Sequence, residues 1–437
     1  MHRQKLGVAK APGCTVALSG AFVVEGTQLN VLWLTREVPY PQNSGDRIYV
    51  SNTIESLARA GLHVTAIACH NPAGSLPNAS ASRVNWLYVP AAKSAEMRFL
   101  TSVRYPLAAY RSMTASYKDV LKQQLTKPWD AIVIDHVGMV WALDFIRALK
   151  PAQKFVYFSH NFETAVAKDL ARNFKGNLLR KLALTENSRR TADAERKLLK
   201  ACQTVSTITE EDSASYRGIA TAPRYVVVTP GYEGPRAAPR QITPRTPRQV
   251  LMLGSFDWLP KQLNLEKFVQ AAGDRFQQND IALNIVGSVP DKLKQRLSAS
   301  SKAIHFLGYV DDLNAIYRDS RMALVFEETG GGFKLKLLDY IFNRLPVFGI
   351  TSAVAGLPDT IMRQIFLAAD MQGLVDLIIE NIDQYEKLNA SQESAFAVAE
   401  QTFDWDVSVS KLVEALAAES SAAESSAAES SAAAART

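Results

Sequence analysis

The amino-acid sequence predicts an α/β protein of two doubly wound, Rossmann-like domains, each built on a parallel sheet. Short aliphatic or β-branched runs alternate with longer helix-patterned segments, and the alternation starts again after a proline-rich break. Parallel strands covered by helices on both faces have this pattern, because neither face is left for polar side chains. A chain of 437 residues suits two domains of about 200 residues each.

The first 28 residues are predicted to be a disordered extension. A basic start suggests a signal peptide, but Ser19 and Gly20 interrupt the apolar run and no small-x-small cleavage site follows. The N-terminal domain is expected over 29–229. Its predicted strands are LNVLWLT, HVTAIAC, VNWLYVP, DAIVIDH, KFVYFSH, TVSTIT and RYVVVTP.

The proline-rich stretch PGYEGPRAAPRQITPRTPRQ separates the two domains and contains almost nothing apolar. Because proline removes a backbone donor and fixes φ, we predict an interdomain linker over 230–248 that lies outside the core. The second domain, 249–395, has predicted strands in QVLMLGSF, IALNIVGS, IHFLGYV, MALVFEE and PVFGIT. A C-terminal helix is predicted over 396–416, and the Ala/Glu/Ser repeats of 417–437 predict a disordered tail.

Composition excludes several classes of protein. A net charge of +6 is a mild bias rather than a nucleic-acid footprint. Cys14, Cys69 and Cys202 are widely spaced and form no CxxC pair, which favours a reducing cytoplasm. No apolar stretch approaches the roughly 18 residues of a membrane span, and no Asp, His or Cys cluster has metal-ligand spacing.

The familiar nucleotide signatures are also missing. The chain contains no GxxxxGK[ST], and no GxGxxG follows the first strand of either domain. A different phosphate cradle is predicted where the strand MALVFEE leads through TGGG into the helix FKLKLLDYIFN. Lys334 is expected in the first turn of that helix, and Asp339, about one and a half turns in, would accept hydrogen bonds from a ribose diol. The alternative is an ordinary glycine turn beside a solvated face.

The segment GGGFKLKLLDYIFNRLPVFG resembles the donor-binding segment of family 4 glycosyltransferases of the GT-B fold, in which a glycine-rich turn leads into K-x-K-x-L-E-A-x-A-x-G-x-P-V-V. GSFDWLPKQLNLEKF, IHFLGYVDDLNAIYRDSRMALV, PYPQNSGDRIYVSNTIESLARAGLHVTAIA and SHNFET are similar to further segments of that family, in the family's order. The resemblance covers residues 29–406 and implies two Rossmann-like domains facing each other across a cleft.

The resemblance also implies roles for single residues. Asp339 falls where the family has a glutamate on the nucleotide ribose, and Gly331 falls where it has a second glutamate, near the sugar hydroxyls. Between them, Gly332, Phe333 and Lys334 are expected to bind the donor.

On the first turn of the second domain, Ser255 replaces an arginine of the donor-phosphate clamp, and Lys261 is a near match for its lysine. Gly45 resembles the family's glycine loop near the donor phosphates, with plain helix capping by Ser44 as the alternative.

His160, in SHNFET, matches a histidine that lies beside the donor sugar in the family, and it is the predicted catalytic residue. The alternative is a buried structural histidine. His136 follows the preceding strand. Like His160, it is expected at the carboxyl ends of the strands, where open α/β sheets bind ligands, but no family motif matches it as closely.

Two basic stretches of the N-terminal domain could contact an acceptor. They cover residues 96–122 and 173–200, and the second holds eight Lys or Arg against three acids. They are either solvated faces or a peripheral contact with an anionic membrane that carries a lipid-linked acceptor.

The resemblance implies a retaining, cytoplasmic glycosyltransferase that needs a nucleotide sugar and a saccharide or lipid-linked acceptor, but no metal, other cofactor or nucleic acid. Cell-surface polysaccharide or glycolipid biosynthesis is the expected context. A non-catalytic scaffold that binds a nucleotide or polysaccharide and a sugar-nucleotide epimerase remain alternatives. The sequence leaves open the sugar, the nucleotide, the acceptor, the linkage and the oligomeric state.

Overall fold

The computed structural model describes residues 29–42, 44–70, 82–174, 176–257, 259–327 and 333–418. The N-terminal domain has seven strands: β1 (Asn30–Leu34), β2 (His63–His70), β3 (Asn85–Pro90), β4 (Ala131–Asp135), β5 (Phe155–Phe158), β6 (Thr204–Thr207) and β7 (Arg224–Val227). Its helices are α1 (Gly45–Arg59), α2 (Ala95–Thr101), α3 (Leu107–Ser112), α4 (Ala115–Gln124), α5 (Val140–Leu149), α6 (Glu163–Asn173), α7 (Leu178–Ala201) and α8 (Glu210–Arg217).

The C-terminal domain repeats this plan. Its strands are β8 (Gln249–Leu253), β9 (Ala282–Val286), β10 (Ile304–Gly308), β11 (Met322–Val325), β12 (Val347–Ile350) and β13 (Phe366–Ala368). Its helices are α9 (Leu259–Gln278), α10 (Asp291–Ser300), α11 (Asn314–Asp319), α12 (Lys336–Phe342), α13 (Asp359–Met362), α14 (Met371–Asn381) and α15 (Tyr385–Thr402), and α16 spans 405–418.

Both sheets are parallel, which confirms the predicted fold class. The strand orders are β3-β2-β1-β4-β5-β6-β7 and β10-β9-β8-β11-β12-β13. Every run predicted as a strand contains one, and β13 is the strand that the prediction missed. The strand order reverses between β1 and β4 and between β8 and β11, and ligands of such sheets bind at the carboxyl ends beside that point.

The linker after β7 is irregular, as expected, but part of it is core. Tyr232 and Ile242 are 9% and 1% exposed and pack in the C-terminal domain. Tyr232 stacks on Phe342 with ring centroids 4.3 Å apart, and the N–H of Ile242 donates to Asn389 Oδ1 at 2.8 Å. The prediction that this stretch lies outside the core is therefore wrong, because side chains of α12 and α15 supply its apolar and polar partners.

The end of the chain also differs from the prediction of one helix over 396–416. Helix α15 ends at Thr402, Phe403 is buried in the C-terminal core, and α16 begins two residues later. Trp405, Val409 and Leu412 of α16 are buried in the N-terminal domain instead. The last described helix thus returns to the first domain. None of the helices in the described ranges is long and apolar enough to cross a membrane.

Candidate active site

A buried ion pair occupies the carboxyl ends of β8 and β11. Glu327 follows β11 and is 6% exposed. Lys336 Nζ donates to Glu327 Oε1 at 2.5 Å and to the Leu253 carbonyl of β8 at 3.2 Å. Burial opposes the charge of Glu327, but Lys336 and Lys334 lower the pKa of its carboxyl. The first residue of α12 is therefore tied to both strands at the reversal of strand order.

Two more lysines act on the same carboxylate. Burial lowers the pKa of Lys334 to about 8, while Glu327 opposes the shift. Burial, with repulsion from Lys336, also lowers the pKa of Lys261 on α9. Three ammonium groups around one buried carboxylate leave a surplus of positive charge, which is the electrostatic requirement of an anion site.

Asp339 lies on the same short helix. Burial raises the pKa of Asp339 to about 6, and a hydrogen bond with Tyr232 opposes the shift. Tyr232 of the linker is therefore one of the groups that surround this carboxyl. An acid with this pKa is mainly ionised at neutral pH and accepts hydrogen bonds.

The helix itself differs from the prediction. It begins at Lys336, so Lys334 precedes it instead of lying in its first turn, and Asp339 lies in that first turn. Seven residues give α12 a small dipole, and the lysine charges rather than the helix terminus dominate this end. Gly331, Gly332 and Glu328 lie outside the described residues.

Phe333 joins the two domains. It is half-buried, packs against the core of each domain and approaches Phe403 with ring centroids 5.8 Å apart. Ser255, at the position of the expected arginine, donates to Asp257 Oδ2 at 2.6 Å. The Ser255 hydroxyl therefore forms a hydrogen bond within its own loop.

His160 lies two residues beyond β5 in the other wall of the cleft. Its Nε2 is 2.6 Å from Asp135 Oδ1, and Trp33 Nε1 donates to Asp135 Oδ2 at 3.0 Å. Burial opposes the charge of Asp135, yet its pKa is lowered by His160. An ionised carboxylate only accepts hydrogen bonds, so the proton of a neutral His160 ring belongs on Nε2 and the lone pair on Nδ1.

His136 forms a second pair beside the first. Its ring centroid is 5.3 Å from that of His160, and its Nε2 is 3.4 Å from Glu163 Oε1. Its Nδ1 accepts from the Gly138 N–H at 2.9 Å, and its φ of 73° is rare for a residue with a side chain. Burial, with the charge of Arg36, lowers the pKa of His136.

Gly45 begins α1 and faces the C-terminal domain. A Cβ at Gly45 would meet Leu335 Cδ1 at 3.6 Å. Ser44 is the N-cap residue of α1, but its side chain makes no capping bond and instead donates to Asp46 Oδ1 at 2.5 Å. The chain turns there and places Asp46 beside Arg36, whose Nη2 donates to Asp46 Oδ2 at 2.6 Å.

Asp46 links the two walls electrostatically. Burial opposes its charge, but Arg36 holds the pKa of the carboxyl well below its usual range, and His160 contributes in the same direction. The same carboxylate opposes the lowering of the pKa of Lys261 across the cleft. The structure therefore brings Gly45, His160, Lys261, Phe333 and Lys334 to one cleft, and Asp339 lies on the helix that follows Lys334.

Sequence reasoning did not choose several residues of this cleft. These are Arg36, Asp46, Asp135, Glu163, Glu327 and Lys336. Asp135 and Glu327 share a usable signal, because each is a charged residue at the end of an otherwise apolar strand run. In the described ranges no group of three or more His, Cys, Asp or Glu could hold a metal ion.

Comparisons with known proteins concern the domain and the fold. Residues 247–384 match the family model described as Glycosyl transferases group 1. WaaG, described as a glycosyltransferase involved in lipopolysaccharide biosynthesis, is 18% identical with a TM-score of 0.62, covering 88% of this chain and 99% of that chain. HepE from Anabaena, solved with UDP and glucose, is 13% identical with a TM-score of 0.57, covering 90% and 100%.

The α,α-trehalose 6-phosphate synthase of Burkholderia multivorans is 12% identical with a TM-score of 0.59, covering 91% of this chain and 100% of that chain. At such identities these structures show a shared fold, the GT-B fold of two Rossmann-like domains. A search of curated protein sequences finds no match.

Proposed function

We propose that this chain, whose residues 247–384 match the Glycosyl transferases group 1 model, transfers a sugar from a nucleotide-sugar donor to a saccharide or lipid-linked saccharide. Transfer retains the anomeric configuration and serves cell-surface polysaccharide or glycolipid biosynthesis. The observation that carries the proposal is the lysine surplus around Glu327, with Asp339 on the same helix. A nucleotide sugar carries its phosphates next to a ribose, and Lys334 and Lys336 precede Asp339 closely along the chain.

The lysines stabilise the leaving group. Bond cleavage moves negative charge onto the terminal phosphate of the nucleoside diphosphate, and fixed cations lower the energy of that charge. Lys334, with its pKa of about 8, is mainly protonated at neutral pH. Lys336 and Lys261 surround the same carboxylate, so the three ammonium groups are arranged before the donor binds.

Asp339 and His160 hold the two ends of the donor. Asp339, ionised above a pKa of about 6, accepts hydrogen bonds from the ribose hydroxyls. His160 lies beside the sugar, where Asp135 fixes the orientation of its imidazole at 2.6 Å. Gly45 lets the start of α1 approach the donor closely.

Solved relatives support the donor class. HepE from Anabaena is described in complex with UDP-glucose, and a trehalose-6-phosphate protein of E. coli with UDP-2-fluoro glucose. Closure of the two domains would exclude water from the donor and so prevent its hydrolysis. The enzyme works at the cytoplasmic face of a membrane when its acceptor is lipid-linked.

The test is the release of nucleoside diphosphate by the purified chain from a panel of nucleotide sugars, with and without total membrane lipid as acceptor. We expect acceptor-dependent release and a product of retained configuration. A Lys334→Ala, Asp339→Ala double variant serves as the inactive control. Saturable donor binding without release would favour the scaffold, and conversion of the free nucleotide sugar without an acceptor would favour the epimerase.

A further inference from the structure

Glu195 of α7 is a buried acid to which the proposed reaction assigns no task. It is 0% exposed and lies on the same face of the helix as Leu198 and Leu199, which are buried as well. An acid in the apolar stripe of a helix costs free energy unless hydrogen bonds satisfy it. Burial raises the pKa of this carboxyl, while hydrogen bonds from Thr164 and Tyr216 oppose the shift. The contacts of the side chain must therefore account for an acid at this position.

Five donor groups lie within hydrogen-bonding distance of the Glu195 carboxylate. Its Oε2 accepts from the Thr164 N–H at 2.9 Å and from the Thr164 hydroxyl at 2.6 Å. Its Oε1 accepts from the Glu163 N–H at 3.0 Å, from the Tyr216 hydroxyl at 2.5 Å and from the Tyr157 hydroxyl at 3.3 Å. Because an ionised carboxylate only accepts hydrogen bonds, this arrangement suits the charged form.

Two of these donors are the first N–H groups of α6. The first N–H groups of a helix have no partner within the helix and usually receive one from a polar side chain just before it. Phe162, the residue before α6, provides no such cap. Glu195 provides it from 31 and 32 residues further along the chain. Helix α7 therefore determines where α6 begins.

The start of α6 is also the end of a short functional segment. Residues 159–164, called the His160 loop below, lead from β5 into the first turn of α6. At the other end of the loop, the Ser159 hydroxyl is 2.7 Å from the hydroxyl of Tyr216. Both ends of the loop thus reach the Glu195 carboxylate, one through backbone N–H groups and the other through Tyr216.

The His160 loop carries two side chains of the N-terminal wall. His160 pairs with Asp135, and Glu163 pairs with His136. A shift of the loop would displace both pairs at once. A displacement of about 1 Å at a reacting group can lower a rate by about 100-fold. Glu195 can thus influence the reaction through the loop backbone, without touching a substrate.

We propose that Glu195 is a positioning residue for sugar transfer, which holds the His160 loop so that His160 lies beside the donor sugar. This inference rests on the proposed function for the role of His160, whereas the attachment of the loop depends only on the contacts of Glu195. The donor phosphates and ribose are proposed to bind the C-terminal domain. A Glu195 variant should therefore lose turnover and keep its affinity for the donor.

The test is a double-mutant cycle between Glu195 and His160. The rate is nucleoside diphosphate release from the best nucleotide sugar of the panel, with total membrane lipid as acceptor. Glu195→Gln replaces one acceptor oxygen by an NH₂ group that opposes the donors of the loop, so kcat should fall about tenfold. The KM for the donor should change by less than about twofold. In the His160→Ala background the same substitution should change kcat by less than about twofold, because the group that it positions is gone.

A milder variant and matched controls accompany the cycle. Asp193→Asn changes an exposed acid of the same helix and should behave like the wild type. Tyr216→Phe keeps the carboxylate but removes the hydroxyl that joins it to Ser159, and kcat should fall about threefold. Tyr225→Phe is its control, because it removes a hydroxyl that donates to the Ala220 carbonyl at 2.6 Å, away from the loop.

Amide hydrogen exchange measures the attachment of the loop without any turnover. Exchange of residues 159–164 should be faster in Glu195→Gln than in Asp193→Asn, because the N–H groups of α6 lose an acceptor. Strands β1 and β4 should exchange at the same rate in both variants. A purely structural role of Glu195 would instead accelerate exchange throughout the domain.

Three results would each overturn the proposal: an equal loss of kcat with and without His160, a rise in KM that accounts for the loss, or unchanged exchange of the His160 loop. Faster exchange throughout the domain, with activity lost in proportion to unfolded protein, would also overturn it. If the wild type released no nucleoside diphosphate, the proposed function would fail instead. The exchange data would then still show whether Glu195 holds the loop.

Discussion

The two walls of the cleft differ in their balance of basic and acidic side chains. In the C-terminal wall, Lys261, Lys334 and Lys336 surround Glu327 and leave a surplus of positive charge. In the N-terminal wall, basic side chains face carboxylates in pairs: Arg36 with Asp46, His160 with Asp135 and His136 with Glu163. The first wall concentrates positive charge that a substrate anion would balance, whereas each carboxylate of the second wall already faces a basic side chain.

From this difference we expect the two walls to act in different steps of the reaction. A cluster of cations stabilises a negative charge that arrives or develops during reaction. A balanced set of pairs fixes the direction of its imidazoles instead, because each ring is held by a carboxylate. We therefore expect variants of the C-terminal wall to change donor binding and variants of the N-terminal wall to change turnover.

The largest effect is expected for Lys336→Ala, which leaves Glu327 buried without its 2.5 Å partner. Removing one member of a buried pair costs about 3 to 5 kcal/mol, seen as a lower denaturant midpoint. Lys334→Ala is the matched control and should change stability by less than about 1 kcal/mol, because burial already disfavours its charge. Equal midpoints for Lys336→Ala and the wild type would contradict the buried pair.

His160→Ala should come next and should change turnover alone. Losing one oriented hydrogen-bonding group at a reaction centre costs about 100-fold in kcat. Steady-state kinetics should show this loss while calorimetry gives an unchanged nucleotide affinity. His305→Ala, on an exposed position of β10, is the control. If His160→Ala lost as much affinity for the nucleotide as it lost turnover, the two walls would not have separate tasks.

Asp339→Ala should weaken nucleotide binding about 30-fold, the value of a hydrogen bond to a charged group. Asp339→Glu should preserve or improve binding. Burial raises the pKa of Asp339, so its ionised form is disfavoured in the fold and the alanine variant should lose no stability at neutral pH. Asp359→Ala, an exposed acid on α13, is the control for titration calorimetry. Unchanged affinity in Asp339→Ala would show that the ribose site lies elsewhere.

Donor affinity should be highest between pH values of about 6 and about 8. Below the first value Asp339 is protonated and no longer accepts two hydrogen bonds, and above the second Lys334 loses its proton and its charge. The affinity should fall up to about tenfold one pH unit beyond either limit. Lys334→Arg should remove the alkaline decline, which a pH series of the dissociation constant would measure. A decline that persists in this variant would mean that another group titrates.

The smallest effect is expected from metal removal. If lysines alone stabilise the diphosphate, EDTA should leave the initial rate of nucleoside diphosphate release unchanged. A rate that falls with EDTA and returns with Mg²⁺ would show that the positive charge of the C-terminal wall is incomplete without a divalent ion.

The fold class could be read from the sequence, but side-chain direction could not. Strands buried on both faces leave long apolar runs, so 12 of the 13 strands were visible. Glu327 was not chosen over Glu328, because adjacent residues at a strand end point to opposite faces and only the fold selects one. Tyr232 was assigned to a linker outside the core, because its partners on α12 lie about a hundred residues away.

The sequence by itself determined two parallel-sheet domains and a break near residue 230, and it predicted Lys334, Asp339 and His160 as site residues. These follow from local periodicity and from one family resemblance. Only the tertiary structure decided that Lys336 pairs with Glu327 and that Asp46 acts on groups of both walls. Such contacts join residues distant in the sequence, and they depend on the packing of whole elements rather than on local preference.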